Sequence, residues 1–206
     1  MRLPFRSRCR VLVVLAAAVA MALGVGIRAW WLWDTAIIYP ERAHETSEEV
    51  ILGGAFFDMA ELEPTKDYRV TVRGARLSSF NEYVREHGAE GSETREGFDE
   101  KSVVDLELEI SNVGTEDGGF AIGYALLVNG GDYLMPNSDL WSLGESAVEP
   151  GQLMVSVRPG TSYVTHVPYT VNDVGDARYA KPLAKRDYKL LLSEIPVMHT
   201  VAVRVE

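Results

Sequence analysis

The sequence is poor in the side chains that most often form reactive or metal-binding sites. Cys9 is the single cysteine among 206 residues, and it precedes a long apolar run. The segment after that run therefore contains no disulfide, no thiolate metal ligand and no cysteine nucleophile. The absence of cysteine after the apolar run also disfavours a lipoprotein, in which the lipidated cysteine follows that run.

Histidine is also scarce, with His44, His87, His166 and His199 as its four occurrences. No two have the spacing of metal ligands, and no H-E-x-x-H motif is present. We interpret each as a structural residue. The chain also lacks a G-x-S-x-G motif and the glycine-rich loops that bind phosphates. We therefore expect no catalytic residue, no metal and no cofactor, and we interpret the protein as a non-enzyme.

Positive charge is confined largely to the N-terminus. Residues 1–33 carry five arginines and no acid, whereas the whole chain has a net charge of −10, so residues 34–206 carry −15. An acidic body repels the phosphate backbone. Nucleic acid is therefore excluded as an expected partner of the folded part.

The chain contains one long hydrophobic run, "VLVVLAAAVAMALGVGI", at residues 11–27. A helix over residues 11–33 would be about 35 Å long, enough to cross a hydrocarbon core of about 30 Å. We predict a transmembrane signal anchor there that contacts the lipid bilayer. The residues expected at the membrane interface are Arg28, Trp30, Trp31 and Trp33.

The distribution of charge around this run predicts its orientation. Arginines precede it and acids follow it, which favours a cytoplasmic segment at 1–10 and an extracytoplasmic domain at 49–206. Residues 34–48 are interpreted as a tether. Two alternatives remain open: a signal peptide cleaved near the small residues at 18–22, and a buried helix of a soluble protein.

Residues 49–206 contain repeated period-two segments separated by turn-forming residues, and no long helical pattern. This organisation predicts an all-β fold, an antiparallel β-sandwich. In "SVVDLELEISNVG", the apolar residues Val104, Leu106, Leu108 and Ile110 alternate with acids. We expect the apolar face to enter the core. Asp105, Glu107 and Glu109 are expected to face water, with cation binding as the alternative.

Two short helical turns are predicted between the strands. Ser79 and Glu82 match a capping box for a helix that ends at Gly88. "NSDLWSLG" at 137–144 predicts a second turn, in which Trp141 packs on the sandwich or, alternatively, forms a platform for a ligand.

A surface for a partner is also predicted, which would be an envelope protein or a wall polymer. The candidate residues are Trp141, Arg178, Lys181, Lys185 and Arg186, the last four from the basic run in the body. The acidic loop at 85–102 and the segment "NDVGD" at 172–176 leave calcium binding open as a further alternative.

The order of the motifs "GGAFFD", "YRVTVRGARLSSFNEYV", "VVDLELEISNVG", "SDLWSL" and "VRPGTSYVTHVPY" resembles a family of uncharacterised bacterial membrane-anchored domains. That family is distantly similar to a broader group of immunoglobulin-like extracytoplasmic domains, often lipoproteins. The resemblance implies an immunoglobulin-like sandwich outside the membrane and no catalytic residues. The chain departs from the broader group in its helical anchor, and it lacks the cysteine pair of antibody domains.

The sequence therefore favours a membrane-anchored, extracytoplasmic, non-catalytic module that binds a partner in the cell envelope. Two other functions stay open. One is a purely structural domain without a dedicated ligand, and the other is an enzyme with a carboxylate site whose members meet only in the folded chain.

Overall fold

The computed structural model separates into a unit at Met1–Ile38 and a unit at Tyr39–Glu206, which are described individually. The predicted basic surface at Arg178, Lys181, Lys185 and Arg186 lies outside the described residues, as do "NDVGD" and half of the acidic loop at 85–102. The structure describes residues 5–36, 38–89, 92–94, 102–130, 132–145, 148, 151, 154–170 and 187–206.

The first unit is a single long helix, α1 (Phe5–Asp34). Its segment Val13–Asp34 has a mean hydropathy of 2.0 over its most apolar window and is the one described helix that is long and apolar enough to cross a membrane. The side chains of Trp30, Trp31 and Trp33 are 67%, 51% and 79% exposed, so none of them packs into a protein core.

The second unit is a sandwich of two β-sheets, as the period-two segments predict. A five-stranded sheet has the order β1-β9-β8-β5-β6, and a four-stranded sheet has the order β2-β3-β4-β7. The strands in the described residues are β1 (Glu41–His44), β2 (Glu49–Ile51), β3 (Tyr68–Ser79), β4 (Ser102–Asn112), β5 (Leu127–Asn129), β6 (Asp132–Leu134), β7 (Thr161–Thr170), β8 (Asp187–Ser193) and β9 (Met198–Arg204).

Strand β4 lies inside the four-stranded sheet, between β3 and β7. Its residues Val104, Leu106, Leu108 and Ile110 are all 0% exposed and belong to the main core, as their alternation predicts. The prediction for the opposite face needs a correction. Asp105 is only 2% exposed and does not face water, because a helix covers this end of the outer face.

Two short helices form that cover: α2 (Phe80–His87) and α3 (Ser138–Gly144). The predicted capping box is present, since the side chain of Ser79 accepts from the backbone N–H of Glu82 and the Glu82 carboxylate accepts from the backbone N–H of Ser79. The two helices share a small apolar cluster with the outer face of β4, formed by Phe80, Tyr83, Val84, Val103 and Leu140.

Trp141 belongs to the core, which contradicts its proposed place in a partner surface. It is 1% exposed, and its indole N–H donates to the Thr165 hydroxyl at 2.9 Å. An apolar ring of this size packs inside when its single polar group finds a partner. Of the two interpretations of Trp141, packing on the sandwich is therefore confirmed, and a platform for a ligand is not.

The segment predicted as a tether at residues 34–48 is partly ordered structure. Residues Glu41–His44 form β1 and pair in parallel with Met198–Val201 of β9. Glu49–Ile51 then forms β2 with the opposite sheet. A four-residue polar strand at a sheet edge has no hydrophobic alternation, so its sequence alone does not distinguish it from a linker.

One buried hydrogen bond connects the two halves of the sandwich. The hydroxyl of Tyr169, in β7 of the four-stranded sheet, donates to the carbonyl of Ala125 at 2.7 Å, just before β5 of the other sheet. Both residues are 0% exposed, so the Ala125 carbonyl loses this donor if the hydroxyl is removed.

We predict that Tyr169→Phe lowers the free energy of unfolding by about 1–2 kcal/mol, because a buried carbonyl is left unpaired. Urea denaturation measures the change. The matched control is Tyr133→Phe, whose ring is 61% exposed and whose change should stay within about 0.5 kcal/mol. Equal stability of the two variants would contradict the assigned role of the Tyr169 hydroxyl.

Candidate functional site

The pairing of three strands assembles a cluster of ionisable side chains on the outer face of the four-stranded sheet. Arg76 of β3 lies directly opposite Asp105 of β4. His166 of β7 lies opposite Glu107, which makes it a diagonal neighbour of Asp105 on the same face. Strand register therefore determines which charges meet here.

A β-bulge explains why Arg76 faces outward. Val70 and Val72 point into the core, and strict alternation would also turn residue 76 inward. The pairing with β4 is interrupted between Val72 and Gly74, so Ala75 takes the inward position and Arg76 the outward one. A bulge inserts one residue and reverses the facing of those that follow.

Helix α2 supplies a fourth residue of the cluster, His87, which is the last residue of the helix. The capping box sets where the helix begins, and the backbone N–H of Gly88 donates to the Val84 carbonyl at 2.8 Å where it ends. Helix α3 approaches closely at this point, because a Cβ on Gly144 would lie 2.6 Å from the His87 carbonyl oxygen. Glycine at 144 thus lets α3 pack against the backbone that carries the histidine.

The carboxylate of Asp105 is the centre of the cluster, and both of its oxygens accept hydrogen bonds. His166 Nδ1 lies 3.0 Å from Oδ1, and His87 Nε2 lies 2.9 Å from Oδ2. Arg76 Nε also donates to Oδ2, at 2.9 Å. The Asp105 side chain is 1% exposed, against 19% for His87 and 35% for His166, so it is reached through the histidines.

A second layer holds these groups in place. Arg76 also donates to the Glu86 carboxylate and lies 3.1 Å from His87 Nε2. The rings of His87 and His166 stack with centroids 4.1 Å apart. The Tyr83 hydroxyl donates to the backbone carbonyl of His166 at 2.6 Å, and its ring lies against His87 with centroids 4.8 Å apart.

The electrostatics follow from burial and from these contacts. Burial by itself raises the pKa of Asp105, but the hydrogen bonds and charges of His166 and His87 outweigh it, so the pKa lies below its ordinary value. The hydrogen bond to Asp105 raises the pKa of His166, against the opposing effect of burial. Bonding to Arg76 lowers the pKa of Glu86. The cluster thus favours an ionised carboxylate beside cationic partners.

A shallow depression of about 200 Å³ opens beside the cluster, lined by Arg76, Asp105, Glu107, His166 and Glu206 together with Gly74 and Ala75. The depression borders the carboxylate, whose side chain is itself 1% exposed, and the half-buried ring of His166 lies beside it. No serine or cysteine nucleophile is among these lining residues, and the groups present can bind protons or cations.

The three donor groups suit a metal ion by type. One atom each from His87, Asp105 and His166 lies within 4.8 Å of the others, the one such group of three among the described residues. From the sequence we expected no metal site, because no two histidines have the spacing of metal ligands along the chain. Asp105 is separated from His87 by 18 residues and from His166 by 61, so only tertiary structure brings them together.

The four histidines, interpreted from sequence as separate structural residues, form two pairs. His44 Nε2 and His199 Nδ1 lie 3.1 Å apart, with rings stacked at 5.3 Å. Burial and the nearby charges of His44 and Arg42 lower the pKa of His199.

The sequence carries one signal for the outer-face cluster, which is the bulge in β3. Inward apolar residues fall at 68, 70 and 72 and then at 75 and 77, so the alternation shifts by one residue.

A model of a domain of unknown function, DUF5028, matches residues 41–199. The chain belongs to the DUF5028 family. The matched segment contains His87, Asp105 and His166 and begins after α1. The family has no assigned activity and indicates no catalytic class, and a search of curated proteins found no match.

Two solved structures are similar to the chain. One is the yjhA protein from Bacillus subtilis, with 11% identity and a TM-score of 0.38, covering 78% of this chain and 98% of that protein. The other is an uncharacterized β-sandwich protein from Clostridium difficile 630, with 11% identity and a TM-score of 0.42, covering 80% and 96%. The resemblance to uncharacterised domains is thus confirmed, while immunoglobulin-like classification and membrane anchoring stay predictions.

In metal-free protein, the raised pKa of His166 makes stability depend on pH above the ordinary histidine value of 6.5. Its stabilising contribution is complete below the ordinary histidine pKa of 6.5 and is lost as pH rises through the folded-state value. The pKa of His199 is lowered, so its contribution to stability is present above pH 6.5 and is lost as pH falls below that value. The pH range in which His199 changes stability therefore lies below that of His166. Asp105 stabilises above its ordinary pKa of 3.8 and loses this as pH falls through its lower folded-state value.

We therefore predict that wild-type protein with excess EDTA loses stability as pH rises from 6.5, and that His166→Gln flattens this decline. Urea midpoints at closely spaced pH values measure it. His44→Gln, in the other histidine pair, should keep the decline. A wild-type curve that is flat or rising over this window would contradict the assigned interaction.

Proposed function

We propose that the protein is a membrane-anchored, extracytoplasmic binding module that engages a partner in the cell envelope and has no catalytic activity of its own. The observation that carries this proposal is helix α1, which is apolar over Val13–Asp34, in the same chain as a folded β-sandwich domain. A helix of 22 residues is about 33 Å long, matching the hydrocarbon core of a bilayer.

The flanks of the helix support one orientation. The arginines of residues 1–10 precede the apolar segment, and loops rich in Lys and Arg stay on the cytoplasmic side. Trp30, Trp31 and Trp33 lie within α1 near its C-terminal end, and Arg28 lies close by, where its stem can extend toward headgroups. The sandwich would then lie outside, at the headgroup side marked by the tryptophans.

A binding role is supported by an open cleft in the sandwich that has charged walls. It measures about 740 Å³ and is lined by the loop that follows β1, by the middle of β3, by the start of β8 and by the end of β9. Its charged lining residues are Glu45, Arg73, Asp187, Arg204 and Glu206. Walls of mixed charge suit a polar partner segment that itself carries charges, because complementary charges give specificity.

The second candidate function is that of a purely structural domain with no dedicated ligand.

We predict that the full-length protein stays in the membrane pellet after alkaline extraction and that Cys9 reacts with an impermeant maleimide only after spheroplasts are lysed. Cys9 is the native reporter, because it is the single cysteine of the chain. In a Cys9→Ser background, Tyr133→Cys on the exposed edge of the sandwich should react in intact spheroplasts.

Three outcomes separate the alternatives. Labelling of Cys9 in intact spheroplasts would reverse the orientation. A mature protein that has lost Cys9 and leaves the membrane would indicate a cleaved signal peptide. Protein that is released by alkaline extraction with its N-terminus intact would contradict the membrane span.

We predict that a photo-crosslinking amino acid at Glu45, on the cleft, traps a reproducible neighbour in intact cells. The control position is Tyr133 in β6, at the opposite edge of the five-stranded sheet from β1. Adducts from Glu45 and not from Tyr133 are expected. No adduct from either position at native expression would favour the purely structural domain.

A further inference from the structure

The outer-face cluster combines features that an ion-pair network alone does not require. Two imidazoles and one carboxylate come from three separate elements, α2, β4 and β7, and converge around a side chain that is 1% exposed. We propose that His87, Asp105 and His166 bind a single divalent first-row transition-metal ion of the Zn²⁺ type. This inference does not depend on the membrane placement of the protein.

The donor set decides the class of metal. Two imidazole nitrogens and one carboxylate oxygen suit Zn²⁺, Cu²⁺, Ni²⁺ and Fe²⁺, whereas Ca²⁺ and Mg²⁺ prefer oxygen ligands throughout. Three protein ligands leave further coordination positions open, the arrangement of zinc sites that also bind water or an external group. The depression of about 200 Å³ beside Asp105 and His166 gives access to such a position.

The two oxygens of Asp105 have different partners. Oδ1 faces His166 Nδ1 at 3.0 Å, while Oδ2 faces His87 Nε2 at 2.9 Å and accepts from Arg76 Nε at 2.9 Å. A metal bound through Oδ1 therefore leaves Arg76 as the outer partner that orients the carboxylate. Such outer partners commonly hold metal ligands in place.

The charge of the site also accepts a cation. With both imidazoles neutral, Asp105 and Glu86 contribute two negative charges and Arg76 one positive charge, and Glu107 adds another acid at the rim. The stacked rings lie 4.1 Å apart, so two protonated rings would repel each other. A neutral ring offers the lone pair that a metal needs.

Metal binding here would replace the hydrogens between the imidazoles and Asp105 by the metal ion, and the atoms and charges balance. In the metal-free protein, the hydrogens on His87 Nε2 and His166 Nδ1 point at Asp105. The metal would take the place of these two hydrogens, which leave His87 Nε2 and His166 Nδ1. Each ring then carries its remaining proton on its other nitrogen, Nδ1 in His87 and Nε2 in His166. Any excess proton is released to solvent, and no bond other than N–H is broken.

The test measures Zn²⁺ binding by the full-length chain in detergent micelles, in a Cys9→Ser background that removes the one thiol. Equilibrium dialysis against buffered free Zn²⁺ should give one tightly bound ion per chain. His87→Gln and His166→Gln should each weaken the affinity at least about tenfold, because each removes one ligand. The matched control is His44→Gln, from the other histidine pair, and it should bind like the parent.

Two further readouts keep folding and binding distinct. The melting temperature of the parent and of His44→Gln should rise with Zn²⁺ relative to EDTA, because a ligand that binds the folded state stabilises it. The His87 and His166 variants should melt cooperatively in EDTA and show no such rise. Co²⁺ in place of Zn²⁺ should give visible absorption bands in the parent that these two variants lack.

Several results would overturn the proposal. These are no stoichiometric Zn²⁺ on the parent chain, equal affinity in folded His87→Gln and His166→Gln, or loss of binding in His44→Gln alone. Weak binding of many ions, unaffected by any histidine variant, would indicate only the general acidity of the chain and would equally reject the site.

Discussion

The two-sided character of strand β4 is the constraint on which the rest of the domain depends. Its even-numbered apolar residues, such as Leu106 and Leu108, are 0% exposed in the core, and its odd-numbered residues form the outer face. Both neighbours, β3 and β7, take their register from it. A slip of one residue would turn Glu107 and Glu109 into the core, so this register is strongly determined.

The same register creates the buried charge at Asp105, which the fold must then neutralise. Removing a carboxylate from water is costly unless other groups pair with it. Arg76 arrives through a bulge in β3, His166 through its place in β7, and His87 through the end of α2. Three independent local features thus converge on Asp105, which is buried and paired and does not lie on a solvated strand face.

Much of the fold follows from local patterns that the sequence carries openly. Alternation identifies β4 and β9, and the Ser79–Glu82 capping box identifies α2. Gly130, with φ of 60°, follows β5 directly, in a backbone conformation that favours glycine. Other elements have no local pattern. Residues Glu41–His44 are polar, and only the parallel partner β9 makes them a strand. The sequence favours packing of Trp141 on the sandwich but leaves a ligand platform as the alternative, until Thr165 is seen to accept its N–H.

Composition and local pattern are enough to identify an apolar helix, an acidic body without thiols, and strands whose inward faces form a sandwich. These properties depend on residues that are neighbours or follow a fixed period, and so they can be recognised along the chain. The meeting of His87 and His166 at Asp105 emerges only in the folded domain, because it depends on strand register, on a bulge and on the packing of α3 against α2 at Gly144. Such contacts join residues far apart in sequence, and no local pattern specifies them.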